Sequence, residues 1–519
     1  MSNLLRPPSL GPIVGHTTDS SVRIWIRGAD VGDSRTVGIA ALYEKNKYVT
    51  GSAQYFRLHR EYDRTGIADF EKLKPDSNYT VRTASFTLDS TDMDIHVSDD
   101  DIEERLPKAD VWLNDLKQLP EPESVANFRT FPAQAGDAMS FIFGSCRYPG
   151  ILWKKKRADV IFDPIYERFQ KGTGGKQPRF MIMVGDQIYA DMFNKSIPIG
   201  LADTEEEFRD RYITAFGSRN MRRLLRSVPH YMILDDHEIE DNWVRGRIKK
   251  REKRMLFTIA ISAYMSYQWC HCPRNFAKRL YYSFECSGYP FFVTDGRTQR
   301  IRDDDDKVLE DNHMLGYPLK DKNNPNYKGQ IDILCEWLVE QQKSVGNRPK
   351  FIVSASVFVP NNVDTIVKKR KGKTIDNRWK DDSWAAFPET RKQLLKTIVE
   401  KNVQNVVFLS GDIHCSNVAE MSFENKQKEK LPLKAFSITS SAFYWPFPFA
   451  DGEPNDYVHD SKKEDDGFDI NGDVTLHYKA RDFEQDDNFI QVNIGPTTIM
   501  AETFNKKGES IKKSNLKLA

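Results

Sequence analysis

Apolar and polar residues alternate over the first part of the chain. In VRIWIRG, the apolar side chains of Val22, Ile24 and Ile26 are two positions apart, which is typical of a strand with one buried face. The segments LKPDSNYTVRTASF and FRTFP (residues 128–132) continue the pattern with turn-forming Pro, Asp and Asn residues. Residues 1–135 are therefore predicted to form a small antiparallel β-sandwich domain, interrupted by a solvated acidic insertion at residues 89–104.

From about residue 138 the strands become apolar at nearly every position, with helical stretches between them. They include SFIFG, FMIMVGD, YMILDD, FIVSASV and NVVFLSGD. Such strands are buried on both faces, so residues 136–505 are predicted to form one large layered α/β domain of the catalytic type. The basic residues 506–519 are predicted to be a frayed tail, and the charged segments 300–307 and 368–374 to be solvated loops.

Charge and composition exclude several classes of partner. The 519 residues carry 76 Lys and Arg against 75 Asp and Glu, a formal net charge of +1, so neither a stable nucleic-acid complex nor binding to an anionic membrane is expected. No run of 18 apolar residues can span a bilayer, and the N-terminal segment lacks the apolar stretch of a signal peptide. We therefore expect a cytoplasmic protein, whose oligomeric state the sequence does not determine. Among the six cysteines, Cys270-His271-Cys272 leaves a zinc clip open, although a second ligand pair is missing.

Four of the predicted strands end on polar residues of the types that bind metals. They are FIFGSCRYPG (141–150), MVGDQIYAD (183–191), ILDDHEIEDNW (233–243) and FLSGDIHCS (408–416). Ligands of open α/β sheets bind at the carboxyl ends of the strands, so neighbouring strands would bring these residues into one crevice. The side chains expected there are Cys146, Asp186, Tyr189, Asp236, His237, Asp412 and His414.

Each motif taken alone has a simpler explanation. Cys146 could be a small buried apolar residue, the Gly-Asp pairs could be turns with helix caps, and Asp-Asp-His-Glu could start a helix. Burying a thiolate, a phenolate and carboxylates together is costly unless a positive charge is present. The joint occurrence of the four motifs therefore favours a site for multivalent cations.

As a set, GSCRYPG, GDQIYAD, DDHEIEDNW and SGDIHCS resemble the motifs of the PhoD-like phosphatases, relatives of alkaline phosphatase D among the metallophosphoesterases. The N-terminal GPIVGHTTDSSVRIWIRG also resembles that family's small β domain, which is of the immunoglobulin or fibronectin type. The resemblance implies a metallophosphoesterase-like α/β sandwich of two mixed sheets flanked by helices. Cys146, Asp236 and Asp412 depart from the usual metallophosphoesterase pattern, and Tyr189 is spaced as in purple acid phosphatases.

The ligand types indicate two different metals. Cys146, Tyr189 and His414 suit a transition metal, and a phenolate in particular suits Fe(III). Asp236 and Asp412 offer only oxygen, which suits a hard cation such as Ca²⁺, Mn²⁺ or Mg²⁺. Asp186 is predicted to bridge the two metals. The resemblance implies iron with calcium, and Mn²⁺, Mg²⁺ or Zn²⁺ stay open as the second metal.

Two metals of this kind predict hydrolysis of phosphoric monoesters or diesters, by direct attack of a metal-bound hydroxide or oxide on phosphorus. His237 would stabilise the transition state or protonate the leaving group. Arg147, beside Cys146, is a candidate for phosphate contact, and so is Arg297 in VTDGRTQR, with Asp295 to orient it. For both arginines a structural ion pair is the alternative.

Two other functions remain open from the sequence. One is a nuclease-like two-metal hydrolase, which the balanced charge disfavours. The other is a binding module with a decayed phosphatase domain, which the presence of every expected ligand disfavours. A small phosphoester is the expected partner. Trp384 and the run Phe443-Tyr444-Trp445 either belong to the core or frame the substrate entrance.

Overall fold

The structure is a computed structural model. It describes residues 5–32, 34–91, 102, 104, 106–149, 155–171, 177–191, 200–274, 279–302, 309, 311–317, 328–370, 373–447 and 452–519. Most of the predicted acidic insertion at 89–104, and residues 303–307 of the first charged segment, lie outside the described residues.

The first part of the chain forms two antiparallel sheets with an apolar core between them. Its elements are β1 (Leu10–Thr17), β2 (Val22–Arg27), β3 (Ser34–Glu44), β4 (Lys47–Tyr48), β5 (Gln54–Arg57), β6 (Thr65–Phe70), β7 (Asn78–Thr91), α1 (Leu113–Gln118), α2 (Glu121–Ser124) and β8 (Val125–Arg129). One sheet has the order β1-β2-β6, and the other has the order β4-β3-β7-β8 with β5 beside β3. Val22 and Ile24 of the first sheet pack with Leu42 and Val81 of the second. The predicted small β domain is confirmed.

The rest of the chain alternates strands and helices. Its elements are β9 (Met139–Arg147), α3 (Phe162–Lys171), β10 (Met181–Val184), α4 (Glu205–Phe216), α5 (Arg219–Leu225), β11 (His230–Ile233), α6 (Arg251–Tyr267), β12 (Tyr282–Cys286), β13 (Tyr289–Val293), α7 (Gln330–Val345), β14 (Lys350–Val353), β15 (Lys368–Arg370), β16 (Lys373–Ile375), α8 (Pro388–Glu400), β17 (Val406–Ser410), β18 (Ser416–Asn425), β19 (Ala435–Thr439), β20 (Ser441–Tyr444), β21 (Phe468–Asp469), β22 (Val474–Glu484), β23 (Asn488–Ile494), β24 (Thr498–Asn505) and β25 (Ser510–Lys517). Short 3-10 helices cover Arg60–Tyr62, Ala109–Trp112, Lys155–Asp159, Arg245–Lys249, Trp269–His271, Val363–Thr365, Arg378–Lys380, Trp384–Ala386 and Pro454–Asp456.

These strands form two mixed sheets. The first has the order β11-β10-β9-β23-β24-β25, with β20 beside β9, and the second has the order β12-β13-β14-β17-β19-β18-β22-β21. Strands β9, β10 and β11 run parallel in the first sheet, and β13, β14, β17 and β19 run parallel in the second. The other pairings in the main path of each sheet are antiparallel.

The two sheets pack face to face, and helices cover both outer faces. Phe141 of β9 packs with Phe351 of β14 in the core between the sheets. Its neighbour Ile142 faces the opposite side and packs with residues of α3 to α6, while α7 and α8 cover the second sheet. Because alternate residues of a strand face opposite sides, two covered faces require an apolar residue at every position. The predicted sandwich of two mixed sheets flanked by helices is confirmed.

Two glycines allow the strand ends to approach one another closely. A Cβ on Gly411, just after β17, would lie 2.4 Å from Oγ of Ser145 and 2.6 Å from the carbonyl oxygen of Val184. Gly185, just after β10, has a φ of +91°, and a Cβ there would lie 2.5 Å from Cβ of Asp235. Larger residues at these positions would push the two sheets apart at the edge where the motifs lie.

The expectation of a frayed basic tail is wrong. Residues Ser510–Lys517 form β25, which pairs antiparallel with β24 at the edge of the first sheet, so a boundary at residue 506 does not separate a tail from this sheet. Ser514 and Leu516 are buried, while Lys513 and Lys517 are exposed. The lysines thus belong to the outer face of an edge strand, where charge prevents pairing with other chains. Part of the second charged segment, predicted as a loop, likewise forms the hairpin β15–β16.

The β domain packs directly on the α/β domain. Trp25 Nε1 donates to the carbonyl of Ser266 in α6 at 2.8 Å, and Arg23 Nη1 donates to the carbonyl of Cys272 at 2.6 Å. Cys270, His271 and Cys272 therefore lie at the domain interface, and in the described part of the chain they belong to no group of three or more close metal-binding atoms. Among the described residues, no helix combines the length and apolarity needed to cross a bilayer.

Candidate metal centre

Carboxylates from three strand ends meet at the edge where the two sheets join. Ligand atoms of Asp186, Asp235, Asp236 and Asp412 lie within 4.8 Å of one another, and those of Asp186, Asp236 and His237 form a second such group. Asp186 belongs to both groups, as a bridging residue must, but Asp236 does too. The geometry therefore brings together the predicted oxygen ligands and leaves two of them able to bridge.

Unusual backbone conformations turn these side chains into the crevice. Cys146, Asp186, Asp412 and His414 have φ values of 56°, 56°, 70° and 51° in the left-handed region, which non-glycine residues seldom adopt. Such conformations cost about 1–3 kcal/mol each and persist where surrounding contacts impose them. Their occurrence after three different strands, at one edge, marks this edge as a functional site.

The predicted soft ligands lie beside the carboxylates. Sγ of Cys146 is 3.3 Å from Oδ2 of Asp186 and 3.7 Å from the carbonyl oxygen of Asp412. The ring of Tyr189 is buried and stacks on His237, with the ring centroids 4.3 Å apart. His414 belongs to neither carboxylate group.

The charge balance of the site fits bound cations. Burial raises the pKa of Cys146 to about 12, and burial together with the Cys146 charge raises the pKa of Asp186 well above its usual value. Burial, followed by the charge of Asp235, does the same for Asp412. Without a cation these groups are driven to take up protons, whereas a multivalent cation would hold them ionised.

Unpaired polar atoms also fit a metal. Among the described residues, no hydrogen-bond partner reaches Oδ1 of Asp186, Oδ2 of Asp235 or either ring nitrogen of His414. Burial and then the charge of His237 lower the pKa of His414 to about 3, so its imidazole is neutral and keeps a lone pair for a metal. Buried polar atoms without partners are rare, and unmodelled ions are one of their usual causes.

Glu238 holds two of the metal-binding loops together. Its carboxylate accepts backbone N–H groups from Asp186 (3.1 Å), Gln187 (2.7 Å) and Ile188 (3.4 Å) after β10, and from Asp235 (2.9 Å) after β11. A fully buried carboxylate shared in this way fixes the relative position of two strand ends. Its role is to position the loops.

Asp191 holds His237. Oδ1 of Asp191 lies 2.7 Å from Nδ1 of His237, and Oδ2 accepts the backbone N–H of Asp241 at 2.6 Å. Burial opposes ionisation of Asp191, but the charge and hydrogen bond of His237 lower its pKa below the usual value. An ionised Asp191 accepts the Nδ1 proton, which leaves Nε2 of His237 available to the crevice.

Arg297 lies among carboxylates in place of the predicted contact with phosphate. Its guanidinium is fully buried and donates to Asp235 and Asp382, and its Nη2 lies 3.4 Å from Oδ1 of Asp236 and 3.7 Å from Oδ2 of Asp412. These partners make it a counter-charge for the centre. Asp295, predicted to orient it, accepts the backbone N–H of Arg297 at 3.3 Å.

Arg147 points away from the centre, contrary to the expectation of a phosphate contact. Its Nη2 donates to Oγ of Ser218 at 2.9 Å, and its guanidinium lies over the ring of Phe162. Successive residues of a strand face opposite sides, so Arg147 and Cys146 diverge. The structural alternative is the one that the contacts support. Trp384 is likewise a core residue, fully buried with Nε1 bonded to Oγ of Ser354.

Sequence reasoning missed three residues of the centre: Asp191, Asp235 and Glu238. All three lie inside the motifs GDQIYAD and DDHEIEDNW, next to residues that were selected. A buried strand end that carries extra carboxylates was a usable signal, since each of them needs a partner. Which carboxylate faces which neighbour depends on the turn after each strand.

A two-sheet α/β sandwich with carboxylate, thiol and imidazole groups at adjoining strand ends defines a metal-binding centre of the hydrolase type. The family model described as PhoD-like phosphatase matches residues 160–483, and the chain belongs to this family.

Two known proteins show the same relationship. The chain is similar to alkaline phosphatase D of Bacillus subtilis (strain 168), with 22% identity over 341 residues that cover 62% of this chain and 53% of that protein. The chain thus spans about half the length of this curated relative. A solved structure titled "Structure of PhoD" matches the fold with a TM-score of 0.62 and 17% identity, covering 98% of this chain and 89% of that one.

Proposed function

We propose that this protein hydrolyses phosphoric esters at the centre formed by the ends of β9, β10, β11 and β17. The observation that carries the proposal is the convergence of Asp186, Asp236 and Asp412 with His237 in a buried cluster whose charges need cations. Membership of the PhoD-like phosphatase family supports the same reaction. Monoesters and diesters are both candidate substrates.

The donor set suits a transition metal at one end and a hard cation at the other. Cys146, Tyr189 and His414 would hold Fe(III), and Asp236 and Asp412 would hold Ca²⁺, with Mn²⁺, Mg²⁺ or Zn²⁺ as alternatives. Asp186 would contact both ions. Bound metals would supply a nucleophile near neutral pH and neutralise the phosphate charge.

His237 would move the proton that the reaction needs. Its Nδ1 is held by Asp191, so its Nε2 can give a proton to the leaving oxygen of the ester. His237 also belongs to a group of metal-binding atoms, so the alternative is that Nε2 binds a metal. Arg297 would counterbalance the carboxylates.

Asp186→Asn tests the centre. The purified wild type should contain metal and hydrolyse p-nitrophenyl phosphate, bis-p-nitrophenyl phosphate or both, while the variant should lose metal and at least about 100-fold in kcat/KM, by analogy with losses of single essential groups. Asp364→Asn, at an exposed position, is the control. A purple or pink wild type would identify tyrosinate bound to iron. Full turnover by Asp186→Asn would refute the proposal.

His237→Gln separates the two roles of His237. If it is an acid, the variant should keep its metals, and it should lose far more activity with an alkyl ester than with p-nitrophenyl phosphate, because p-nitrophenolate leaves without a proton. Loss of metal in this variant would instead make His237 a ligand. An equal loss for both esters with metal retained would contradict the acid role.

A further inference from the structure

The two imidazoles of the centre are supported in different ways. His237 is held by the carboxylate of Asp191. His414, in contrast, is only 7% exposed, yet within the described residues neither of its ring nitrogens has a hydrogen-bond partner. Metal-binding histidines usually donate their second N–H to a neighbouring group that fixes the ring. Something other than a hydrogen bond must fix the ring of His414.

The indole of Trp445 packs flat against His414. The two ring centroids are 3.7 Å apart, and the planes differ by 14°. The indole is itself held on its other sides: Nε1 donates to the carbonyl of Phe447 at 2.9 Å, and Tyr148 meets it edge-on with centroids 5.6 Å apart. Because Trp445 is fixed by these contacts, the stack determines the plane of the imidazole.

Ser441, four residues before Trp445, connects the other soft ligand to the same loop. Its hydroxyl lies 3.2 Å from Sγ of Cys146 and 3.0 Å from the backbone nitrogen of His414. The hydroxyl accepts from that N–H, so its single proton is free to go to the sulfur. One buried side chain therefore links Cys146 on β9 with the loop after β17.

The second hydroxyl near the sulfur cannot replace Ser441. Oγ of Ser145 is also 3.2 Å from Sγ of Cys146, but it donates its proton to the carbonyl of Ser440 at 3.0 Å. Ser145 can accept from a thiol and cannot donate to a thiolate while it keeps that bond. Among the described residues, Ser441 is thus the hydroxyl that can stabilise Cys146 in its ionised, metal-binding form.

The backbone of Ser441 is fixed in turn. Its N–H donates to Oγ of Ser416 at 2.9 Å, and its carbonyl accepts from Ser416 and from Nδ2 of Asn488. Strand β20 also pairs with β9, with Ser441 opposite Ser145. The segment from Ser441 to Trp445 is therefore a rigid piece of the first sheet that contacts a soft ligand at each of its ends.

We propose that β20 and Trp445 form a positioning element for the soft half of the centre, in which Ser441 aims and stabilises the Cys146 thiolate and Trp445 sets the plane of the His414 imidazole. The inference rests on the proposed function, since it takes both residues as metal ligands. It assigns Ser441 and Trp445 to positioning, because neither is placed as a ligand itself.

Cobalt(II) provides a test that does not depend on activity. Metal-free wild type, Ser441→Ala and the matched control Ser440→Ala would be titrated with Co²⁺ against a competing chelator, and the thiolate-to-cobalt absorption band recorded. Ser440 is an equally buried serine whose hydroxyl donates to the carbonyl of Phe143. We expect Ser441→Ala to bind Co²⁺ about 10–100-fold more weakly and to shift the thiolate band, and Ser440→Ala to match the wild type.

Trp445 is tested by a conservative and a disruptive change. Trp445→Phe keeps an aromatic face and should retain most of the affinity, whereas Trp445→Leu should lose about 10–100-fold. If Trp445→Leu fails to fold, Ser441→Ala against Ser440→Ala still decides the inference. Wild-type affinity and an unshifted band in Ser441→Ala, with unchanged affinity in any folded Trp445→Leu, would overturn it.

The outcomes separate this inference from the proposed function. A wild type with no thiolate band means that Cys146 is not a ligand, which overturns the inference. A wild type that hydrolyses esters while the variants bind Co²⁺ normally overturns the inference alone. A wild type that shows the band and the variant effects but hydrolyses neither nitrophenyl ester overturns the proposed function and leaves the positioning element supported.

Discussion

Glu238→Gln should release the two strand ends that carry Asp186 and Asp235 without removing any predicted ligand. The carboxylate accepts four backbone N–H groups from these two ends. A carboxamide keeps one oxygen and places an NH₂ group where the other stood. Two of the four backbone donors would then face a donor.

The size of the effect follows from these bonds. Hydrogen bonds to charged groups contribute about 1.5–3 kcal/mol each, so losing two costs roughly 3–6 kcal/mol. Burial, which raises the pKa of Glu238 to about 7, makes the native carboxylate costly and offsets part of the loss. A net loss of about 3 kcal/mol is expected, and it is confined to the loops at first.

Amide hydrogen exchange measures this local loss. Protection of residues 181–191 and 230–236 should fall about 100-fold in Glu238→Gln, since 1.4 kcal/mol corresponds to a factor of ten. Glu240→Gln is the matched control, because Glu240 is also buried but pairs with Arg247 and Lys253 at the surface, where about 1 kcal/mol is at stake. Equal protection of these segments in the two variants would refute the assignment of Glu238.

Three further predictions concern charge away from the metal-binding atoms. Asp382→Asn should lose about 3–5 kcal/mol in denaturant unfolding, because Asp382 neutralises the fully buried Arg297 and Arg300, whereas Asp381→Asn, whose side chain bonds the N–H of Ser383, should lose about 1 kcal/mol. Burial lowers the pKa of His271 to about 3, so the unfolded chain binds the extra proton and stability falls as pH drops below about 6.5. His271→Gln should therefore reduce the stability lost between about pH 7.5 and pH 5 by about 2 kcal/mol in parallel melts, and exposed His459→Gln should not. Lys350→Met should destabilise by about 2–4 kcal/mol in the same melts, because Nζ of Lys350 is buried and bonded to carbonyl groups at 346 and 404 and to Gln342; an unchanged melt would contradict this.

The fold could be predicted from the sequence because strand periodicity reports burial directly. Residues such as Phe141 and Ile142 are both apolar because they face two different cores. The strand at 510–517 was missed for the converse reason. Its buried face offers little more than Ser514 and Leu516, and the lysines of its outer face hide the alternation.

The site could be predicted only as far as residue type. Thiol, phenol, imidazole and carboxylate at strand ends imply one crevice, and the structure brings them to one edge. The direction of a side chain after a strand depends on one or two dihedral angles, and the left-handed turns at Cys146 and Asp186 have no signature in residue type. Arg147 and Arg297 were therefore assigned the right chemistry and the wrong surroundings.

The two halves of the centre are organised by different forces, and the difference follows from their chemistry. The carboxylates repel one another, so their positions are set by full charges: Arg297 lies between Asp235, Asp236 and Asp412, and its own charge is balanced by Asp382. Arg297 offsets part of the repulsion that a metal would otherwise have to offset alone, so the carboxylates stay together when no cation is bound.

The soft half has no formal charge beside it among the contacts of Cys146 and His414 described above. A fixed cation next to the thiolate would weaken its bond to a metal, whereas a hydroxyl donor and an aromatic face constrain the ligands and leave their lone pairs free. Ser441 and Trp445 meet that requirement. A substitution that brings a positive charge to either position should therefore damage metal binding more than one that merely removes the contact.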